Sequence, residues 1–334
     1  MKVDISAVAA AAGVSRTTVS HALSGKRYVA AETKERILAA IEELGYRPNR
    51  VAQSLRRRST LSVAYLATDL SNPYYPAVIK ALHRGLDAVG YALLIGETDG
   101  SASGERHLLE EMVARQVDAV VIHPMAMSVP DIRELVGGLP LVAAVGDPDA
   151  AVDVPADVIM SDDALGIGDA LRHLVDRGYR EVAFVSGPSD VKVALSRLAA
   201  FREASAAAGH HVPEDWIDHV PFTRDGGAEA MRRLLKCNSR PRAVMCANDL
   251  IAIGALDVLR EARLRVPEDV AVVGFDDIDL AELLTPRLTT VKNPAAAVGE
   301  ACAEAVLARL AGPRTEAAFT FTTLPTTLQI RDST

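Results

Sequence analysis

The sequence predicts an α/β protein with a small helical head at the N-terminus and a two-lobed body built on parallel sheets. Three observations support this architecture. The first 60 of the 334 residues contain short helical segments separated by glycines. From Leu61 onward, apolar strand segments alternate with amphipathic helical segments, a pattern typical of parallel sheets covered on both faces. The series then restarts after residue 160, which indicates a second lobe.

Charge is distributed unevenly between these two parts. The chain has a formal net charge of -8, but residues 1–60 hold 11 Lys and Arg against 5 Asp and Glu, a balance of +6. Five arginines lie within residues 47–59, RPNRVAQSLRRRS. A basic head on an acidic body indicates that only the head contacts a polyanion. Charge alone leaves a solvated charged helix as the alternative.

Bulk composition is that of a soluble globular protein, and we expect the cytoplasm as its location. Hydrophobic residues make up 49% of the chain, without a run approaching the ~18 apolar residues of a membrane span. The N-terminus also lacks the sustained apolar segment of a secretion signal. The three cysteines, Cys237, Cys246 and Cys302, are widely spaced, which favours isolated thiols in a reducing compartment over metal ligation.

The first two helices of the head are predicted from a glycine and a serine. An apolar helical stripe leads to Gly13, which can adopt the left-handed conformation that ends a helix. Ser15 then stands at the N-cap of a second helix, from Arg16 to about Leu23. Two short helices joined by a tight glycine turn form a helix-turn-helix unit, whose second helix enters the major groove of DNA.

The outward face of the second helix carries side chains that suit base edges and phosphates. They are Arg16, Thr17, Ser20 and His21. An arginine at the start of such a helix can read guanine, while hydroxyl and imidazole groups reach phosphates or neighbouring bases. The alternative is that Thr and Ser only cap and solvate a short helix.

A third helix is predicted in AAETKERILAAIEELGY, with Gly45 as its stop. Its inward positions at helical spacing are Ile37, Leu38, Ile41 and Leu44. Asn49 then caps a short segment that ends at Arg56, which is too short to be helical by itself. We therefore expect that segment to fold only when something holds it.

Five segments together resemble one family. They read GVSRTTVSHALSG, AAIEELGYRPNRVAQSLR, ANDLIAIGAL, RVPEDVAVVGFDD and LTPRLTTV. In this order they resemble the lactose-repressor/galactose-repressor (LacI/GalR) family of bacterial transcription regulators. The head is most similar to the purine-repressor branch, because His21 stands where many members have arginine. The resemblance implies a homodimeric repressor that binds a palindromic operator in double-stranded DNA and is controlled by a small-molecule effector.

The resemblance also implies three domains and a set of DNA contacts. The domains are a helix-turn-helix domain at 1–48, a hinge helix or linker at 49–59 that folds only on the operator, and an effector-binding and dimerisation domain at 60–334, similar to periplasmic binding proteins. The implied DNA-binding residues are Ser15, Arg16, Thr17, Thr18, Ser20, His21, Arg27, Tyr46, Asn49, Leu55 and Arg56.

Leu55 is a lone leucine among the arginines of the hinge segment. In a hinge helix at the operator centre, no protein core exists to bury it. The family assigns to the matching residue a wedge between base pairs, which kinks the minor groove. Packing of hinge against hinge or body is the alternative. Arg57 and Arg58 are expected to contribute salt-dependent phosphate attraction.

Polar and aromatic residues follow the body strands at the ends where such sheets bind ligands. The effector-binding candidates are Tyr74, Tyr75, His123, Asp162, Arg197, Phe222, Asn248 and Asp276. Aromatic rings can cover the apolar face of a sugar while polar side chains bind its hydroxyls. Arg197, Asn248 and Asp276 match effector-contacting positions in the family. Alternatively, Asn248 and Asp249 only cap a helix, and Phe222 belongs to the core.

Departures from the family pattern refine these expectations. Val191 stands where the purine repressor has a second arginine, so a sugar or nucleoside-like effector is favoured over a purine. Arg263 replaces a usual glycine, which predicts a non-glycine residue in the left-handed region. The sequence ends at IRDST without a leucine heptad, which predicts a dimer rather than a tetramer.

The sequence disfavours two other classes of protein. An enzyme is disfavoured, because the sequence has no nucleophile elbow, P-loop or metal quartet, and GIGDAL lacks the spacing of a dinucleotide motif. No cofactor is expected. A secreted sugar-binding protein would share the body but would have a signal peptide and no basic head.

Overall fold

The computed structural model describes residues 4–24, 27–46, 59–146, 154–237, 239–312 and 318–334. The chain divides into two compact units, residues 1–60 and 61–334, and each is described by itself. Among the described helices, none is long and apolar enough to cross a bilayer.

The head unit contains three helices: α1 (Ile5–Ala11), α2 (Arg16–Ser24) and α3 (Ala31–Leu44). Gly13 has φ +65°, so it makes the left-handed turn between α1 and α2. The Ser15 hydroxyl accepts a hydrogen bond from the Thr18 amide at 3.1 Å, which caps α2. Gly45 ends α3 with φ +58°. The turn, the cap and the stop predicted from the sequence are confirmed.

A small apolar core holds the three helices together. Val8, Val19 and Ile37 are fully buried, with Ile41 and Leu44 packed at its edge. Leu38 was expected to face inward, and this was wrong, since 49% of it is exposed. Successive helical residues are rotated by about 100°, so the stripe that buries Ile37 turns its neighbour outward.

Part of the predicted hinge cannot be compared with the structure. Residues 47–58, which include Asn49, Leu55 and Arg56, lie outside the described residues.

The N-terminal lobe of the body is a six-stranded parallel sheet in the order β11-β5-β4-β3-β1-β2. Its strands are β1 (Ser62–Ala67), β2 (Ala92–Glu97), β3 (Ala119–Ile122), β4 (Leu141–Val145), β5 (Asp157–Asp162) and β11 (Phe321–Pro325). Its helices are α4 (Tyr74–Asp87), α5 (Ala102–Ala114), α6 (Val129–Val136) and α11 (Ala295–Ala311). Helices α4 and α11 pack on one face of the sheet, and α5 and α6 on the other.

The C-terminal lobe repeats this plan with the order β12-β10-β9-β8-β6-β7. Its strands are β6 (Val182–Ser186), β7 (Ile217–His219), β8 (Ala243–Cys246), β9 (Ala271–Asp276), β10 (Thr289–Lys292) and β12 (Thr327–Gln329). Its helices are α7 (Asp163–Asp176), α8 (Lys192–Ala207), α9 (Arg224–Leu234) and α10 (Asp249–Glu261). All its strand pairs are parallel except the edge pair of β12 with β10.

The chain crosses between the lobes three times, after β5, after β10 and between β11 and β12. The first crossing lies where the sequence pattern restarts, after residue 160. Residues at the carboxyl ends of strands from both sheets border one cleft between the lobes. Arg263 has φ +57°, so the predicted left-handed arginine is confirmed.

Candidate functional site

A cavity of about 100 Å³ lies between the two lobes of the body. Residues that follow strands of both sheets line it, as the parallel topology requires. The N-terminal lobe contributes side chains after β1 and β3, and the C-terminal lobe contributes side chains from α8 and after β8 and β9. Seven of the eight candidate effector residues lie here: Tyr74, Tyr75, His123, Arg197, Phe222, Asn248 and Asp276.

Arg197 is the electrostatic centre of the site. It lies on α8 with only 6% of its surface exposed. Its Nε donates to Asp163 Oδ2 at 2.7 Å, and its Nη1 donates to the Ala247 carbonyl at 2.7 Å. Its guanidinium carbon stacks 3.8 Å from the ring centroid of Phe275. Burial alone lowers the pKa of Arg197, but Asp163 and Asp276 outweigh it and raise that pKa, so the charge is fixed.

Asp276 ends β9 with its carboxylate buried in the cleft. Its Oδ1 lies 3.9 Å from Arg197 Nη2 and accepts a hydrogen bond from Asn293 Nδ2 at 3.4 Å. Burial raises the pKa of Asp276 to about 6, although Arg197 and Asn293 oppose the rise. Its backbone has φ +115°, a conformation that few non-glycine residues adopt. Such local strain is typical of functional sites, where surrounding contacts hold it in place.

An aromatic cluster forms the wall contributed by the N-terminal lobe. The ring of His123 meets Tyr74 and Tyr75 edge to face, with centroid distances of 6.1 and 5.3 Å. Burial lowers the pKa of His123 to about 4, so its imidazole is neutral at pH 7. Burial also raises the pKa of Tyr75 to about 12, so its phenol stays protonated. Buried His123 Nε2 has no hydrogen-bond partner among the described residues.

Asn248 has a structural role and also lines the cavity. Its Oδ1 accepts from the Ile251 amide at 2.9 Å and caps α10, and its Nδ2 donates to the Phe222 carbonyl at 3.3 Å. Asp249 is buried inside the lobe, where it accepts hydrogen bonds from Thr290 and Ile278. Asn248 therefore caps the helix, as the alternative interpretation of the sequence stated, and it also lines the cavity.

Phe222 lies in the cavity wall beside a glycine that leaves room for its ring. A Cβ at Gly187 would lie 2.2 Å from Phe222 Cζ, closer than real atoms approach. Phe222 also packs at the edge of the core of its lobe. It is therefore both a cavity residue and a core residue, the two alternatives that the sequence left open.

Asp162 is placed differently from its predicted role. Its Oδ1 accepts from the Leu165 amide at 3.0 Å and caps α7, and it is not among the described residues that line the cavity. The adjacent Asp163 instead reaches Arg197. The DD pair in MSDDALG was visible in the sequence, but only the three-dimensional position of α8 decides which carboxylate pairs with the arginine.

Other lining residues were not among the candidates. They include Thr68, Asp69, Asn72, Met125, Gly146 and Asn293. Asn72 lies in the segment TDLSNPYYP after β1, two residues before Tyr74. Asn293 follows β10, and the same rule of strand ends would have identified it.

The loop that carries Met125 is held by a buried carboxylate. Glu105 of α5 is fully buried, and its Oε1 accepts from the Met125 amide at 2.6 Å. The same oxygen accepts from the Ala126 amide at 3.2 Å, and Oε2 accepts from Met127 at 2.8 Å. One carboxylate thus fixes three consecutive backbone amides beside the cavity.

The head unit exposes part of the predicted DNA-binding set. Arg16, Thr17 and Arg27 are exposed, and Ser20, His21 and Tyr46 are half-buried. Ser15 and Thr18 are engaged with each other, since their hydroxyl oxygens lie 2.8 Å apart in the cap of α2. Capping therefore accounts for those two residues, whereas Arg16 and Thr17 project from the first turn of α2.

Comparisons with known proteins agree with both parts of the chain. Residues 4–49 match the model for "Bacterial regulatory proteins, lacI family", and residues 171–334 match a "Periplasmic binding protein-like domain". The ribose operon repressor of Escherichia coli (strain K12) is 35% identical over 306 residues, 92% of each chain. The chain belongs to the lacI family of bacterial regulatory proteins.

Two further proteins match over at least nine tenths of this chain. The HTH-type transcriptional repressor PurR of Salmonella newport (strain SL254) is 35% identical over 315 residues, 92% of this chain and 91% of that protein. A crystal structure of the Lac repressor dimer bound to operator and the anti-inducer ONPF superposes with a TM-score of 0.89 at 25% identity, covering 100% of this chain and 99% of that one. Membership of this regulator family confirms the expectation that the protein is not an enzyme.

Proposed function

We propose that this protein is a cytoplasmic, homodimeric repressor that binds a palindromic operator and responds to a sugar or sugar-like effector in the cavity between its lobes. The observation that carries the proposal is the helix-turn-helix head, whose second helix exposes Arg16 and Thr17 at its first turn. In the same chain, a cavity between the lobes lined by polar and aromatic side chains provides a ligand site.

The DNA-binding part of the proposal rests on geometry and charge. The first turn of a recognition helix is the part that contacts base edges. Arg16 is therefore proposed to choose sequence, together with His21 in the next turn of α2. Ser20, Arg27 and Tyr46 are proposed to contact the DNA backbone. The hinge at 49–59, with Asn49, Leu55 and Arg56, is proposed to fold on the operator and to insert Leu55 into its central step.

A two-fold dimer is proposed because a palindromic operator mirrors it. The Lac repressor structure that superposes on this chain is itself a dimer on operator DNA. The domain boundaries follow from this assignment: residues 1–48 read the DNA, 49–59 connect, and 60–334 bind effector and form the dimer.

A sugar is favoured as effector by the contents of the cavity. Tyr74 and Tyr75 of the N-terminal lobe and Phe222 of the C-terminal lobe provide aromatic surface. Arg197 and Asp276, also of the C-terminal lobe, provide polar groups. This combination suits a hydroxylated ring. Val191, at the position of the purine repressor's second arginine, is the N-cap of α8 and provides no charged group there.

The test begins with selection of binding sites from a random duplex pool by the full-length protein. We expect a palindromic consensus and a binding constant that falls steeply with salt. Arg16→Ala should relax base preference at one position of each half-site, at a cost of about 1 to 3 kcal/mol. Arg84→Ala, an exposed arginine of the body, is the matched control.

Effector control is tested with the selected operator. A sugar that binds the cavity should change operator affinity by about 5- to 150-fold, the usual range of allosteric coupling. Fluorescence anisotropy with and without each sugar measures this change. Absence of a palindromic consensus, or selection unaltered by Arg16→Ala, would contradict the proposed mode of DNA binding.

A further inference from the structure

The walls of the cavity carry more negative than positive charge. Among the described residues that line it, Asp69 and Asp276 have carboxylates and Arg197 has the cationic side chain. Asp163 adds a further carboxylate directly behind Arg197, at 2.7 Å. His123 is neutral at pH 7, so it does not offset this excess. An anion entering the cavity would therefore meet two lining carboxylates and a guanidinium that is already paired with a third carboxylate.

The guanidinium is already engaged by the protein. Its Nε is bound by Asp163, its Nη1 by the Ala247 carbonyl, and one face stacks on Phe275. A phosphate that paired with the remaining N–H groups of Arg197 would lie against the Asp276 carboxylate, whose Oδ1 is 3.9 Å from Nη2. One guanidinium would then be shared by two buried carboxylates and a dianion, which leaves negative charge uncompensated in the cleft.

Neutral polar atoms in the same cavity lack partners. His123 Nε2 and Asn293 Oδ1 are buried, and within the described part of the chain neither has a hydrogen-bond partner. Both residues line the cavity, on opposite lobes. Buried polar groups are normally satisfied, and a hydroxyl can both donate to and accept from such atoms. Together with the Asp276 carboxylate as an acceptor, they complement hydroxyl groups.

We propose that the cavity selects an uncharged polyhydroxylated ligand about one sugar ring in size and rejects the phosphate ester of the same sugar. This inference rests on the proposed function, which requires a small effector at this site. It narrows the ligand class, because hydroxyls fit the unpartnered atoms, whereas an added dianion meets, among the described residues that line the cavity, one guanidinium that Asp163 and Asp276 already neutralise. We expect the ester to bind at least about 100-fold more weakly than the free sugar, since an unpaired buried charge costs several kcal/mol.

The test is isothermal titration calorimetry of the full-length protein with matched pairs of probes. The probes are D-ribose, D-glucose and D-fructose, each compared with its phosphate monoester. D-Ribose is included because a ribose operon repressor is among the relatives. We expect at least one free sugar to bind and its ester to be rejected by the stated factor.

Two variants separate the cavity from the overall charge of the protein, which is -8. Met125→Lys places a cation of similar length on the cavity wall, whereas Val89→Lys adds the same charge at an exposed position outside it. Met125→Lys should reduce the ratio of the ester's dissociation constant to that of the free sugar about tenfold or more, since the lysine supplies a cationic partner for the phosphate. Val89→Lys should leave this ratio unchanged.

The outcomes distinguish the two levels of the proposal. An ester that binds as tightly as its free sugar, or tighter, overturns the inference and leaves an effector-controlled regulator in place. An equal reduction of this ratio by Met125→Lys and Val89→Lys also overturns it, because net charge would then explain the discrimination. If no free sugar and no ester binds, while the operator is still selected, the sugar-type effector of the proposed function is itself wrong.

Discussion

Replacement of Arg197 by methionine isolates the electrostatic role of the arginine in the cleft. Methionine preserves most of the packing over Phe275, where the guanidinium carbon lies 3.8 Å from the ring centroid. It removes the positive charge that lies 2.7 Å from Asp163 and 3.9 Å from Asp276. Both carboxylates are buried, so the variant leaves two uncompensated negative charges in the protein interior.

The expected cost follows from that burial. Breaking a buried ion pair by removing one partner lowers the free energy of unfolding by about 3 to 5 kcal/mol. Arg197 opposes the rise in the pKa of Asp276, which is about 6 in the native protein, so its loss should raise that pKa further. Protonation of Asp276 then relieves part of the cost at low pH. The deficit of Arg197→Met should therefore be smaller at pH 5 than at pH 8.

Urea unfolding followed by circular dichroism measures these effects, and a double-mutant cycle assigns them. Asp163→Asn combined with Arg197→Met should cost less than the sum of the single changes, with a coupling of about 1 to 3 kcal/mol. Arg202→Met is the control on the same helix: its partner Glu214 lies at 2.8 Å, but both side chains are largely exposed. Arg202→Met should lower the free energy of unfolding by less than about 1 kcal/mol. Additive single changes, or an Arg197→Met deficit no larger than the control's, would refute the reasoning.

Three further predictions concern the same cleft. Gly187→Ala should weaken binding of the effector about tenfold or more with little loss of secondary structure, because its Cβ would lie 2.2 Å from Phe222 and displace the ring. Titration calorimetry measures the affinity, and an unchanged affinity would contradict this prediction. Glu105→Gln should lower the free energy of unfolding by about 1 to 3 kcal/mol, because the new side-chain NH2 would face a backbone N–H that now donates to Oε2. Thermal and urea unfolding measure the change, and the control is Glu111→Gln on the same helix, where the carboxylate pairs with Arg115 at a half-buried surface position. Finally, burial raises the pKa of Asp276 to about 6 and lowers that of His123 to about 4. The contribution of Asp276 to the free energy of unfolding is therefore present below pH 4 and lost as pH rises to 6. The contribution of His123 increases over the same interval. Asp276→Asn removes the falling contribution, so the free energy of unfolding should rise more steeply between pH 4 and 6.5 in this variant. An unchanged slope would show that Asp276 does not titrate in this window.

The sequence by itself determined the elements of the head and the order of the body. Gly13, Ser15 and Gly45 act through local backbone conformation and capping, which depend on residues a few positions away. The apolar strands of the body are equally local signals, because strands buried on both faces must be apolar throughout. The ends of those strands then indicated where ligand-binding side chains gather, and seven of eight candidates lie in one cavity.

Tertiary structure decided which neighbouring residue takes which role. Asp162 and Asp163 are adjacent and chemically identical, yet one caps α7 and the other pairs with Arg197, which is 34 residues away along the chain. Leu38 has the same apolar character as Ile37, but the position of α1 and α2 buries only one of them. Burial likewise raises the pKa of Asp276 and makes His123 neutral. Pairing, exposure and desolvation depend on distances through space, and the two lobes set those distances only when both have folded.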